Sequence, residues 1–403
     1  MNEQLIVKNF GPIKDATVDF KKVTVFIGPT GGGKSTLAKL AAIFKSQITY
    51  HGPIRPDNLT SFNINNYWQE NSRVTWKTKQ YKLDNIPDQY QYITDLLNID
   101  RSNDDTIMWI SEYGESLIDK ILFDTNNNRR KRTKIRLLSE DKERYDYLST
   151  EESSLIREIK SFIPIHEVNY LPSERVFLPA MEYSWAGSAW RNSELPKFMR
   201  YFSKKFSIAR KLIQVLPINF LDIIYNYKEN QDYIKIPDKS DTLRLYEAAS
   251  GIQSAAPMLV LIEYLSQQED QIQSFIIEEP ELNLYPTAQQ ALLNWLVEKC
   301  TTSENDLTIT THSPYILSSC NLLIEAYKVW KQRPELEEEI EKIVPRASWI
   351  NPDDFAAYYV TDGTVRPIVD ERTDLIGGNE LDSISGEISD AFRRLLRLKK
   401  QVA

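Results

Sequence analysis

Four of the chain's 13 glycines, Gly28, Gly31, Gly32 and Gly33, fall within six consecutive positions, and Lys34, Ser35 and Thr36 follow them directly. Backbone without side chains turns tightly and lets another molecule come close. The run Gly28-Pro29-Thr30-Gly31-Gly32-Gly33-Lys34-Ser35 fits G-x-x-x-x-G-K-[ST]. Such a loop turns its N–H groups toward phosphate oxygens, and a helix opening directly after it adds the positive end of its dipole. Lys34 is then placed for β- and γ-phosphates and the Ser35 hydroxyl for Mg²⁺. Thr36 completes the group of nucleotide-binding candidates.

Three further groups carry chemistry. Glu278 and Glu279 stand side by side before Pro280. Two carboxylates there suit a metal site followed by a base for an attacking water. Glu278 is the metal candidate beside Ser35, reaching the ion directly or through water, and Glu279 is the candidate base; a solvated acidic turn is the plainer alternative. His312, one of three histidines, precedes Ser313-Pro314, and a surface histidine is the alternative to a role at the reacting phosphate. Ser250-Gly251-Ile252-Gln253 opens an apolar run, the makings of a second anion site at a helix N-terminus or of an ordinary cap.

The elements around these residues are ones that would bring them together. Val23–Ile27 reads as a buried strand, and Leu37, Leu40, Ala41 and Phe44 recur at helical spacing from Lys34 to about Lys45. Phe275–Ile277 and Leu307–Thr311 are apolar strands that deliver the paired acids and His312 at their C-terminal ends. Ligands of open α/β sheets gather at such ends. Met258–Ile262 continues a helix from Ser250. The fold class is therefore α/β, with a P-loop NTPase head whose phosphate loop and acidic strand are separated by a long insertion.

The order of phosphate loop, Ser-Gly-x-Gln signature, double-acid strand and histidine resembles the ABC-type ATPase heads of the SMC/RecF group. Leu5–Ile13 resembles that group's opening strand. Within the group, Ile277-Glu278-Glu279-Pro280-Glu281-Leu282-Asn283-Leu284-Tyr285-Pro286 and Thr311-His312-Ser313-Pro314 are most similar to the OLD-like (overcoming lysogenization defect) ATPases, many of which serve bacterial anti-phage systems. The resemblance covers residues 1–50 and about 245–320. It implies that ATP and Mg²⁺ are bound, that ATP is hydrolysed, and that two copies close around nucleotide, with higher homo-oligomers as an extension. Ser250, Gly251 and Gln253 would act in trans, His312 would sense the γ-phosphate, and Glu281–Leu284 falls where a D-loop lies between subunits. Gln69 and Gln80 both suit the glutamine loop. A GTPase lacks support because no N-K-x-D occurs. A AAA+ module usually places its acidic strand much nearer the phosphate loop.

Four segments follow from this reading: 1–50 and 241–345 as the two parts of the head, 51–240 as a mixed α/β insertion lobe, and 346–403 as a strand and helix extension. In the insertion, Thr106–Ser111 and Ile121–Phe123 read as strands, and Leu195–Leu216 and Phe220–Tyr227 as helices. Long heptads are missing, so a compact lobe is expected rather than a coiled-coil rod. Arg175, in Tyr170-Leu171-Pro172-Ser173-Glu174-Arg175, suits either a phosphate or a structural ion pair. Arg129, Arg130, Lys131 and Arg132, with Lys134 and Arg136, would bind DNA phosphates or guard a sheet edge. In the extension, Ala357–Val360 reads as a strand before a turn at Asp362-Gly363. Ile384, Ile388, Ala391, Phe392 and Leu395 share one face of a last helix, suited to docking on the head or to a partner.

Composition narrows the class. With 49 basic and 57 acidic residues the net charge is −8, which argues against a globally basic nucleic-acid coat. Two cysteines, Cys300 and Cys320, form no disulfide framework. No apolar run approaches a membrane span, and the N-terminus offers no signal peptide, so a cytoplasmic location is expected. No Asp-x-Asp follows His312, so the TOPRIM nuclease of OLD proteins is not expected in this chain. The resulting expectation is an ATPase serving as sensor or scaffold of an anti-phage defence system of the PARIS or Septu type, with a separate nuclease or toxin as effector. A RecF-like repair ATPase and a nucleotide-gated scaffold with little turnover are the rivals.

Overall fold

Alternation of apolar and polar residues sets the first two strands. In β1 (Glu3–Phe10) and β2 (Ile13–Phe20), Leu5, Val7, Phe10, Ile13, Ala16, Val18 and Phe20 are buried, as expected for a sheet with one covered face. β3 (Val23–Ile27) is buried at every position and lies inside the sheet. The computed structural model describes residues 3–50, 56–77, 82–84, 105–112, 115–124, 129–138, 166–180, 195–237, 242–268 and 271–377. After β3 come α1 (Lys34–Tyr50), α2 (Pro56–Ser61), β4 (Arg73–Lys77), β5 (Lys82–Asp84), β6 (Asp105–Glu112), β7 (Glu115–Asp124), β8 (Arg129–Leu138) and β9 (His166–Leu171). Then follow α3 (Lys197–Leu212), β10 (Val215–Ile218), β11 (Ile223–Lys228), β12 (Gln231–Lys235), β13 (Thr242–Arg244), α4 (Ser250–Ser266) and β14 (Ile272–Glu278). α5 (Pro286–Cys300), β15 (Asp306–Thr311), α6 (Pro314–Gln332), β16 (Phe355–Thr361) and β17 (Thr364–Pro367) complete the elements used below.

A ten-stranded mixed sheet in the order β5-β4-β1-β2-β17-β16-β3-β15-β14-β9 organises the molecule. Its segment β16-β3-β15-β14-β9 is parallel throughout. β1 pairs antiparallel with both β2 and β4, forming a wing on one side. The two faces bury separate cores. Val23, Val25, Ile27, Phe275, Ile277, Leu307 and Ile309 pack with α3, α4, α5 and α6. Phe26, Ile276, Tyr358 and Val360 pack with α1 and the wing. Strand residues thus point alternately into two cores, which is why these strands read as continuous apolar runs.

Several expectations are corrected here. Phe220–Tyr227 is not a helix: Asn219–Leu221 is a single tight turn, Asp222 takes φ 51°, and β11 begins at Ile223. Glu229 and Asn230, both at positive φ, then make the two-residue hairpin turn to β12. The helix expected over Leu195–Leu216 spans Lys197–Leu212, and β10 takes up its last residues. The strand assigned to a C-terminal extension, β16, lies beside β3 in the sheet and turns at Asp362-Gly363 into β17. β4, β5 and β9, from the segment 51–240, join the same sheet. The cationic run Arg129–Arg136 forms β8, the edge of the antiparallel sheet β6-β7-β8. The last helix, expected around Ile384–Leu395, lies outside the described residues, as does Gln80. Among the described residues no helix is long and apolar enough to cross a membrane.

Candidate functional site

The phosphate loop joins β3 to α1, and three of its glycines take backbone angles other residues avoid: φ 150° at Gly28, 80° at Gly31 and 109° at Gly33. β16 forms the floor beneath it. A Cβ on Gly28 would lie 2.1 Å from the Val360 carbonyl oxygen, and one on Gly32 would lie 2.5 Å from the same atom. A Cβ on Gly33 would lie 2.3 Å from Ile13 Cδ1. Pro29, Thr30, Gly31 and Ser35 are exposed, whereas Lys34 and Thr36 are buried.

Lys34 Nζ donates to the carbonyls of Gly28 at 2.8 Å and Pro29 at 3.0 Å, which puts its ammonium inside the loop. Burial lowers its pKa, and Glu279, Glu278 and Glu281 act in the opposite direction. Both observed acceptors are carbonyls, so the charge stays available to an anion. The first turn of α1 holds no acidic side chain, leaving its dipole unopposed.

The paired acids diverge in environment. Glu278, at the end of β14, is 2% exposed, and its carboxyl is pushed up by burial, with Lys39, Ser35 and Tyr170 countering. Its Oε1 has no hydrogen-bond partner. A buried carboxylate oxygen without a partner, beside the Ser35 hydroxyl, fits a hard divalent cation such as Mg²⁺, which keeps most of its remaining oxygens from water and phosphate. Among the described residues no group of three His, Cys, Asp or Glu could hold a metal alone. Glu279 is half-buried and takes φ 42°. Its N–H donates to Thr310 O at 2.8 Å, and its Oε1 lies 3.4 Å from His312 Nε2.

His312 follows β15. Burial, then the Lys34 ammonium, lowers its pKa below the ordinary 6.5, while Glu279 and a bond to the Gly28 backbone pull upward. Glu281 serves this residue from beneath. Its Oε1 accepts from the Thr311 hydroxyl and, at 3.1 Å, from the His312 N–H. In the segment expected between subunits, Glu281 is therefore directed into its own chain, and Asn283 and Tyr285 are exposed.

Ser250 is exposed at the first position of α4. Gly251 is buried, and a Cβ there would lie 2.6 Å from the Asn283 carbonyl oxygen, so the signature rests on the turn after the double acid. Gln253 Nε2 donates to Tyr246 O at 2.9 Å and Ala248 O at 2.7 Å, bracing the loop before its own helix. Arg175 faces neither a phosphate loop oxygen nor a carboxylate: every hydrogen bond of its guanidinium goes to a backbone carbonyl. Gln69 is exposed, in the turn before β4.

Lys34, Glu278, Glu279 and His312 thus meet at the C-terminal ends of β3, β14 and β15. The support Glu281 gives His312, the place of Val360 beneath the loop and the carbonyl-binding role of Arg175 went unread in the sequence. Glu281 is signalled by its place in Glu-Glu-Pro-Glu, and Val360 by an apolar run after a long gap. Backbone acceptors carry no residue identity, so the partners of Arg175 left no readable signal.

The site sits at strand ends of a mixed α/β sheet, with the phosphate loop between β3 and α1 and the paired acids at the end of β14. In three dimensions the chain is similar to the recombination mediator protein RecF with ATP, in the RecFOR pathway, at 10% identity and TM-score 0.31 over 91% of this chain and 99% of that one. It is similar also to the dimeric bacterial ABC transporter cassette MJ0796, at 11% identity and TM-score 0.29 over 90% and 96%. No curated protein matches it in sequence. The pattern of the AAA ATPase domain matches residues 1–176 and 57–317, running from β1 through the phosphate loop and the acid pair to the first turn of α6. On that match, over more than half its length, the chain belongs to the AAA ATPase domain family.

Proposed function

We propose that the chain binds ATP with Mg²⁺ and hydrolyses it as a homodimer, each subunit completing the other's site. The observation that carries this reading is the convergence of Lys34, Glu278, Glu279 and His312 at adjoining strand ends. Loop N–H groups and Lys34 bind the phosphates. Ser35 and Glu278 would hold the Mg²⁺, which when bound neutralises charge on the phosphate oxygens. Glu279 is the base that orients a water and takes its proton. Neutral His312 beside it contributes a ring N–H without adding a second positive charge next to Lys34. The exposed Ser250, at a helix N-terminus, is suited to a phosphate held by the partner subunit.

The setting we propose is a bacterial anti-phage system of the PARIS type, with the Septu type second, in which this subunit senses or scaffolds and a separate nuclease or toxin is the effector. Its support is the likeness of Ile277–Pro286 and Thr311–Pro314 to OLD-like ATPases. Glu279→Gln tests the chemistry: turnover should fall on the order of 10²–10⁴-fold while ATP still binds. Wild-type turnover in that variant removes Glu279 from the role. Phage plating on cells carrying the chain with its neighbouring genes tests the setting, and equal plating with and without them would sink it.

A further inference from the structure

Arg175 is fully buried, in the tight turn Ser173–Phe177 that follows β9. Its guanidinium donates from Nη1 to Pro172 O at 2.9 Å and Glu278 O at 2.6 Å. Nη2 donates to Glu279 O at 2.6 Å and Nε to Ser254 O at 3.2 Å. Three separate elements converge on one side chain: the end of β9, the double-acid turn and the first turns of α4. Desolvation lowers its pKa to about 10, so it remains charged at neutral pH, and Glu281, Glu278, Glu279 and Glu174 favour that charge from a distance.

Consider what the turn requires. Glu279 at φ 42° occupies a region that costs a non-glycine residue on the order of 1 kcal/mol or more unless its surroundings hold it there. Both sides of the residue are held. Its N–H is fixed by Thr310 O and its carbonyl by Arg175 Nη2. A planar fork of donors can serve carbonyls in several directions at once, whereas a lysine ammonium is a compact point donor. Charge-assisted bonds to neutral carbonyls are also stronger than those of an amide.

We propose that Arg175 is the positioning residue of the double-acid turn, holding Glu279 in its left-handed conformation and in register with the signature helix α4. This rests on the reading of Glu279 as base. Arg175 touches neither nucleotide phosphate nor water in this role; it acts through the backbone of the residue that does.

A double-variant cycle tests it. Arg175→Lys keeps the charge and loses the fork, so turnover should fall about 10²-fold, the scale of a displaced reacting group, with ATP affinity by calorimetry unchanged. In a Glu279→Gln background the same substitution should change turnover little, because the group it positions has already lost its chemistry. Hydrogen exchange of the nucleotide-free protein should show faster exchange at the Glu279 amide and unchanged protection in α1. Arg175→Gln runs the same cycle if the lysine variant does not fold. Wild-type turnover in Arg175→Lys, equal fold losses in both backgrounds, or failure of both variants to fold would each overturn the proposal. Should Glu279→Gln alone keep full turnover, the base reading fails, and the amide-exchange result still decides whether Arg175 holds the turn.

Discussion

His312 Nε2 lies 3.4 Å from Glu279 Oε1, across the ends of two neighbouring parallel strands. The same imidazole reaches the Gly28 backbone at the mouth of the phosphate loop, and so stands between the loop and the acid. Its surroundings pull in both directions. Burial and Lys34 disfavour the imidazolium, Glu279 favours it, and the net shift is downward from 6.5.

His312 should therefore be neutral at pH 7 and titrate below 6.5. With the folded pKa below the unfolded one, the unfolded chain takes the proton first, so the contribution of neutral His312 is complete above the unfolded pKa and is lost as pH falls through the folded one. Proton NMR of the three histidines over roughly pH 5 to 8, with His312→Gln for assignment, reads this directly. A midpoint at or above 6.5 would contradict the site geometry described above.

The loop glycines should differ sharply in what they tolerate. Gly28→Ala faces both φ 150° and a Val360 oxygen 2.1 Å from the new Cβ, a backbone atom that cannot swing aside. Gly31→Ala has φ 80° but meets nothing within 4 Å. The first should cost about 1–3 kcal/mol more than the second, whose loss should be about 1 kcal/mol. Thermal unfolding of the two variants compares them, and equal losses would mean that β16 does not floor the loop.

That floor shows where sequence reading ended. Lys34, the acid pair and His312 were legible because each lies in a short run with a strand before it, and local periodicity locates strands. The placement of β16 beside β3 was not, since pairing of two apolar runs more than three hundred residues apart leaves no local pattern. Phe220–Tyr227 misled for a different reason. Phe220, Ile223, Ile224 and Tyr227 repeat at i, i+3, i+4 and i+7, which imitates one face of a helix. Asp222 in a left-handed conformation and the Glu229-Asn230 turn decide for a hairpin. Arg175 suited a phosphate or an ion pair, yet its partners are carbonyls that any residue could supply.

Lys45 ties the two ends of the head together. Its Nζ lies 2.6 Å from Asp306 Oδ1 and 3.0 Å from Glu3 Oε2, all three side chains being buried. Burial opposes its charge, but the two carboxylates outweigh that and raise its pKa. Lys45→Met would leave two buried carboxylates without their cation and should destabilise the protein by about 3–5 kcal/mol. Chemical denaturation measures the loss, and a change below about 1 kcal/mol would show the cluster to be open to water.

The dimer reading has a sharper test in mixed subunits. Lys34 is buried in its own loop, whereas Ser250 is exposed at the start of α4. In a two-fold pair, each nucleotide would lie between the phosphate loop of one chain and the Ser250–Gln253 signature of the other. Lys34→Ala and Ser250→Arg should each be inactive alone, because every site in either homodimer carries a lesion. Ser250 is exposed, so the bulkier arginine need not disturb the subunit's core. A heterodimer of the two variants gathers both lesions in one site and leaves the other intact. Equal mixing with free exchange makes about half the dimers mixed, so roughly a quarter of wild-type turnover should return if sites act independently, and less if they are coupled. No return at all, with exchange confirmed by mass spectrometry, would mean that both motifs of a chain serve that same chain's site or that both sites must fire together. Activity well above a quarter is equally incompatible with this geometry, because no mixed dimer can hold more than one intact site.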